Sequence, residues 1–139
     1  MYSDAKNSMV EFMESEGYTN AAAKVKKTKD LSSHEFHKSF FVSTDTGEGS
    51  IPRPDRVTRN IKITIGFSND KVKKNADDDS EAIIADETDR LMAALCGAIN
   101  RTNSARTIFA GVTNEISNER IDDFDYWVVT IILPTLTRL

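Results

Sequence analysis

The most regular hydrophobic pattern in the chain lies between Val57 and Phe67. Apolar and polar side chains alternate there, with Val57, Ile61, Ile63, Ile65 and Phe67 at odd positions and Thr58, Asn60, Lys62 and Thr64 at even positions. Because successive side chains of a strand point to opposite faces, this alternation predicts a β-strand with one buried face and one polar face. Arg59 is expected to point with the apolar set.

Helical spacing predicts two main helices. The longer one begins near Asp79 or Ser80 and ends between residues 100 and 103, with an apolar stripe at steps of three and four residues: Ile84, Thr88, Leu91, Leu95 and Ile99. Asp78, followed three residues later by Glu81, resembles a capping box at its start. The shorter helix covers residues 3–16 and stops at Gly17. Residues 19–27 are predicted to form a further short helix.

Three more strands are expected, over residues 36–43, 107–116 and 126–133, with a polar turn over residues 115–125. Residues 44–55 contain two glycines and two prolines and are predicted to form a flexible loop. The fold class is therefore α+β, in the order α-β-β-α-β-β. We expect a mainly antiparallel four-stranded sheet with helices packed on one face, in a single domain covering residues 1–139.

The last predicted strand is apolar on both faces. If helices cover only one side of the sheet, the other face of this strand needs a second cover. A neighbouring subunit would supply one, so we take Tyr126, Val128, Thr130 and Ile132 as a candidate subunit interface.

Composition narrows the functional classes. Of the 139 residues, 39% are hydrophobic and 29% charged, which is typical of globular proteins. The apolar runs are too short to span a bilayer, so no membrane association is expected. The formal net charge of −4 argues against an electrostatic grip on nucleic acid over the whole domain. The lysines at 71, 73 and 74 are interpreted as solvated charge.

The sequence contains no constellation typical of a catalytic, cofactor or metal site. His34 and His37 are three residues apart, which in a strand places them on opposite faces. Asp77, Asp78 and Asp79 lack the spacing of a calcium loop. Cys96, the only cysteine, follows the helical stripe and is predicted to be a buried structural thiol. We therefore do not expect an enzyme.

Arginines form a candidate contact surface near the predicted loop. Arg53, Arg56 and Arg59 are interpreted first as surface cations at a sheet edge. The alternative is contact with an acidic partner surface or with nearby DNA, because the planar guanidinium group binds carboxylate or phosphate.

The layout resembles that of the tail-terminator proteins of long-tailed bacteriophages and the related tail-completion proteins of the neck. The similarity covers most of the chain and rests on the early helix and on four later segments: 37–42, 59–65, 80–99 and 127–133. The resemblance implies a hexameric ring that caps the tail tube, ends its polymerisation and provides the surface for head attachment. DNA would pass through the lumen without specific binding.

The resemblance also implies partners and a location. The chain would contact the tail tube protein and a head–tail connector protein, with Glu48, Arg53, Arg56 and Arg59 as candidate contacts, and would be assembled in the host cytoplasm into the virion. A head-completion protein or another tail ring protein would share this outline. A small α+β module that binds RNA or a peptide, using Thr58, Asn60, Lys62 and Thr64, is the other reading.

Overall fold

A computed structural model of the chain describes residues 2–20, 36–46, 56–102, 107–109, 113–121 and 124–138. This part of the chain has an α+β fold. Its helices are α1 (Tyr2–Ser15), α2 (Asn69–Val72) and α3 (Ser80–Thr102), and its strands are β1 (Thr19–Asn20), β2 (Ser39–Thr46), β3 (Arg56–Ser68), β4 (Thr107–Phe109), β5 (Thr113–Ile121) and β6 (Phe124–Arg138).

The sheet contains six described strands in five positions. Its order is β1-β2-β3-β6, and both β4 and β5 pair with the free side of β6, one after the other. The β1–β2 pair is parallel and the other pairs are antiparallel. The predicted four-stranded antiparallel sheet was therefore too small. The two-residue strand β1 is too short to produce an alternating pattern, and the predicted strand over residues 107–116 covers two strands, β4 and the start of β5.

Strands β3 and β6 form the centre of the sheet. Every residue of the 13-residue strand β3 has a partner on β6. The odd-numbered residues at the centre of both strands face the core, and the side chains at positions 61, 63, 65, 129, 131 and 133 have no exposed surface. The predicted buried face of β3 is confirmed.

The described helices pack on this apolar face of the sheet. Met9 and Met13 of α1 join Ile84, Leu91 and Leu95 of α3 in one hydrophobic cluster with β3 and β6. The predicted stripe of the long helix is confirmed at positions 84, 88, 91 and 95, all at most 1% exposed. The side chain of Ile99 lies outside the described part of the structure. Cys96 is exposed, so the prediction of a buried thiol was wrong.

Asp79, and not Asp78, caps helix α3. The backbone N–H of Ala82 donates to Asp79 Oδ1 at 3.2 Å. Asp78 instead accepts the backbone N–H groups of Lys74 and Asn75 at 2.8 and 2.9 Å, which holds its pKa below the usual range. The predicted capping box is therefore wrong: the preceding turn takes up the Asp78 carboxylate, and Asp79 makes a single cap because Ala82 has no side-chain acceptor to complete a box.

Strand β2 begins later and ends later than predicted. Lys38 has φ +59°, a left-handed conformation that interrupts the extended chain before Ser39. Residues 44–46 continue the strand instead of opening the predicted loop, whose residues 47–55 lie outside the described part. Thr19 and Asn20 form β1 and do not start the predicted short helix, whose remaining residues 21–27 also lie outside it.

The predicted polar turn before the last strand is also wrong. Residues 115–121 belong to β5, which pairs with β6 down to Ile121 opposite Phe124. Most of β5 is exposed, so its polar composition reflects a strand at the rim of the sheet. Strand β6 continues through Pro134, which lies between the residues paired with β4 and those paired with β5. A proline has no N–H to donate and is tolerated where a ladder is interrupted.

The ring of Phe36 packs on the face of the sheet that the helices leave uncovered. It lies over Gly66, where a Cβ atom would be only 2.5 Å from the ring carbon Cζ. The same ring makes an edge contact with Tyr126, with ring centroids 5.1 Å apart. Glycine at position 66 is therefore required by the close approach of an aromatic ring.

We expect Gly66→Ala to lower the free energy of unfolding by about 1–3 kcal/mol, because the added methyl group overpacks the contact. In a Phe36→Ala background the same change should have little cost, since alanine is otherwise favoured over glycine in a strand. Urea unfolding of the four variants in a double-mutant cycle measures this coupling. Equal costs in both backgrounds would contradict the contact.

Candidate functional site

The first candidate site is the outer face of the sheet, meaning the face opposite the helices. It consists of the even-numbered residues of β3 and β6 and the odd-numbered residues of β2 and β5. Val128, Thr130 and Ile132 of the predicted interface lie here and are half-buried. The hydrophobic core draws on the odd-numbered residues of β6, so these three side chains point away from it.

Cross-strand pairing shows what surrounds these residues. Val128 lies between Gly66 and Ser117, and Ile132 lies between Lys62 and Thr113. Thr130 lies between Thr64 and Glu115, and Thr64 also pairs with Phe41 of β2. The apolar strip of the outer face, formed by Val128, Thr130 and Ile132, is therefore one strand wide and is flanked mainly by polar and charged side chains.

Tyr126 is the member of the predicted interface that the chain itself covers. Only 4% of its surface is exposed, and its ring packs against Phe36. Its hydroxyl donates to Glu119 Oε2 at 2.8 Å, and burial together with this carboxylate raises the pKa of Tyr126 to about 12. The accessible part of the predicted interface thus consists of the side chains of Val128, Thr130 and Ile132.

Among the predicted partner contacts, the structure describes the side chain of Arg59 alone. Arg59 is half-buried and pairs with Thr46 and Thr135, and its carbonyl accepts the Thr135 hydroxyl at 3.0 Å. Arg56 is the first residue of β3. Glu48 and Arg53 lie outside the described residues, so the structure does not bring the four together.

The alternative RNA- or peptide-binding residues share the outer face. Asn60, Lys62 and Thr64 are half-buried on β3, directly beside the apolar strip of β6. The side chain of Thr58 is outside the described part. Both functional readings therefore depend on one surface.

A second candidate site, which the sequence did not indicate, is a cleft of about 500 Å³ on the helical side. We call it the lysine cleft. It is lined by His37, Lys38, Phe67, Lys71, Val72, Lys74, Ile83, Ile84, Asp86, Glu87 and Arg90. The lysines had been interpreted as solvated charge, because nothing in the sequence shows that the turn after α2 faces the start of α3.

One wall of the lysine cleft is fixed by a polar network around Glu87. Tyr18 donates to Glu87 Oε1 at 2.8 Å, and Arg90 donates to both carboxylate oxygens at 2.7 and 3.0 Å. Arg90 also reaches Glu16 Oε2 at 2.8 Å, which ties α3 to the end of α1. The hydrogen bonds from Arg90, followed by that from Tyr18, lower the pKa of Glu87. Burial and the neighbouring Glu87 raise the pKa of Tyr18.

Aromatic contacts hold the opposite wall. The backbone N–H of Ser68 donates to His37 Nδ1 at 3.3 Å, and the rings of His37 and Tyr18 both make edge contacts with Phe67. Lys38 Nζ lies 5.7 Å from the centre of the Tyr18 ring, within range of a cation–π interaction. The cleft thus combines an apolar floor with lysine ammonium groups, an arrangement suited to binding an anion.

Within the described ranges, no group of three His, Cys, Asp or Glu side chains is placed to hold a metal ion. The same part of the chain has no helix long and apolar enough to cross a membrane.

Compared with known proteins, the chain matches no protein-family model and no curated protein sequence.

The Glu87 network predicts a pH-dependent contribution to stability. Since the pKa of Glu87 is lowered by folding, its stabilisation is present above the unfolded value of about 4.3 and is lost as the pH falls through the folded value. Glu87→Gln should lower the free energy of unfolding by about 1–2 kcal/mol at pH 7, because hydrogen bonds to a charged group are lost in a partly solvated site. The deficit should shrink below pH 4.

Urea unfolding between pH 3 and pH 7 measures this deficit. The matched control is Asp89→Asn, which removes an exposed carboxylate from the same helix and should show little deficit at any pH. A deficit for Glu87→Gln that is the same at pH 3 and pH 7 would show that the charge of Glu87 contributes nothing.

Proposed function

We propose that this chain is a structural, non-catalytic subunit of a phage tail-terminator ring, which caps the tail tube, ends its polymerisation and presents the surface for head attachment. The observation that carries the proposal is the two-sided apolar character of β6. One face packs beneath the helices, and the other presents Val128 and Ile132, each half-buried, on the outer face. A neighbouring copy would complete the cover of this strip.

A ring needs two different patches of one chain that meet head to tail. The outer face is one such patch. The second is the rim strand β5, which among the described strands pairs with β6 alone and is mostly exposed. An unpaired strand edge offers N–H and C=O groups to another chain. The two patches adjoin, and they point in different directions.

The negative net charge of the chain supports the proposal that DNA passes through the lumen of the ring. A formal net charge of −4 disfavours tight contact with the phosphate backbone, so DNA would pass without being held. In this proposal the tail tube protein and a head–tail connector protein are the axial partners, and the virion is the final location. Another ring protein of the neck or tail would share the same physical basis.

The second candidate function is RNA or peptide binding at the outer face. It is favoured by Asn60, Lys62 and Thr64, which lie side by side with the strip on β6. The common RNA-binding sheets stack bases on exposed aromatic rings. Of the described rings on the outer face, Phe36 and Tyr126 are buried and Phe41 is half-buried, so we prefer the ring subunit.

Self-association tests the ring proposal. Light scattering coupled to size exclusion should give about six times the protomer mass of 15.5 kDa at high protein concentration. Ile132→Lys places a charge in the strip and should reduce the particle to a monomer. The protomer should stay folded, because Ile132 is half-buried and lies outside the hydrophobic core.

Ile83→Lys is the matched control, because the same substitution on the helical side, at a residue already 40% exposed, should leave the oligomer intact. A monomer under all conditions, with tail tube protein present as well, would argue against the ring. So would equal dissociation by both variants. Tight, salt-sensitive RNA binding by the monomer would favour the alternative instead.

A further inference from the structure

The lysine cleft contains an apolar side chain that the fold leaves open to solvent. Ile83 is 40% exposed and is the only large hydrophobic residue of the described chain with so much free surface. It projects from the first turns of α3 into a cleft whose floor includes Phe67 and Ile84, which belong to the core. A concave site with an apolar floor and a few charged groups at its edge is typical of a binding site.

The charge of the cleft is locally opposite to that of the whole chain. Arg90 and Glu87 neutralise each other within their network, and Asp86 is the remaining acidic residue of the lining. The lining also contains three positively charged lysines, Lys38, Lys71 and Lys74. The ammonium groups of Lys71 and Lys74 are exposed and form no ion pair with the described residues. Asp77, Asp78 and Asp79 follow Lys74 in the sequence and offset part of this charge. The lining itself nevertheless carries a net positive charge in a chain with a net charge of −4.

We propose that the lysine cleft binds an acidic peptide segment of a partner protein, with one aliphatic or aromatic anchor against Ile83 and carboxylates on the lysines. The exposure of Ile83, Lys71 and Lys74 makes the cleft open on one side, so an occupant remains partly in solvent. This suits a polypeptide segment, whereas a small ligand is usually enclosed over most of its surface.

The walls of the cleft are already in place before a partner arrives. The Glu87–Arg90 pair and the Tyr18 hydrogen bond hold α3, and Phe67 is held by two aromatic edge contacts. On the protein side, mainly the exposed lysine side chains lose freedom on binding, which limits that part of the entropic cost. The cleft lies on the helical side of the sheet, so this inference does not rest on the ring proposal.

The experiment selects ligands from an mRNA-displayed library of random dodecapeptides, using the full chain as bait and an Ile83→Ser, Lys71→Glu double variant for counter-selection. Enriched peptides should carry at least two carboxylates next to an aliphatic or aromatic residue. The most enriched peptide, labelled with fluorescein, is then measured by fluorescence anisotropy. Lys71→Glu, Lys74→Glu and Ile83→Ser should each weaken its binding at least tenfold.

Lys73→Glu is the matched control. Lys73 is in the same segment as Lys71 and Lys74 but does not line the cleft, so its reversal should weaken binding less than threefold. Urea unfolding checks that each variant is folded.

Three results would overturn the proposal: no enrichment over the counter-selected pool, enriched peptides without acidic residues, or an equal loss with Lys73→Glu. If 8-anilinonaphthalene-1-sulfonate binds in the cleft while no peptide is enriched, the site takes small anions and the proposal is wrong.

Discussion

The ladder between β3 and β6 positions the other described elements. Both strands are long, all of β3 is paired, and the odd-numbered side chains at positions 61–65 and 129–133 form a continuous apolar surface without solvent exposure. Helices α1 and α3 pack on that surface. The same pairing fixes the even-numbered residues on the outer face, because side chains alternate along a strand. Burial on one side of the sheet therefore decides which residues are available on the other.

The elements with a strong internal period were predictable from the sequence. The alternation in β3 and the three-and-four spacing in α3 each repeat several times, so the buried face of each was identified correctly. Elements defined by a partner were not predictable. β1 exists because two residues pair with β2, and β5 looks like a polar turn because it lies at the rim of the sheet. The left-handed conformation of Lys38 is a local feature that leaves no periodic pattern in the sequence.

The candidate sites follow the same rule. The strip on the outer face was predicted because β6 is apolar at even and odd positions alike. The cover of Tyr126 by Phe36 was not, since it depends on the turn at Lys38. The lysine cleft was missed because its walls come from the turn before β2, the end of β3, α2 and α3, which approach one another only in the folded chain. The sequence alone indicates only solvated charge for Lys71 and Lys74, but in the folded chain both line the same cleft.

The aromatic ring of Phe36 makes the two ends of the outer face unequal. At the end marked by Gly66 and Tyr126 the ring rises above the sheet, while Thr130 and Ile132 lie further along β6, away from this ring. An element that settles on this surface meets a fixed aromatic stop at one end and only the side chains of the strands at the other. The surface therefore has a built-in polarity, which would fix the direction and register of whatever lies on it.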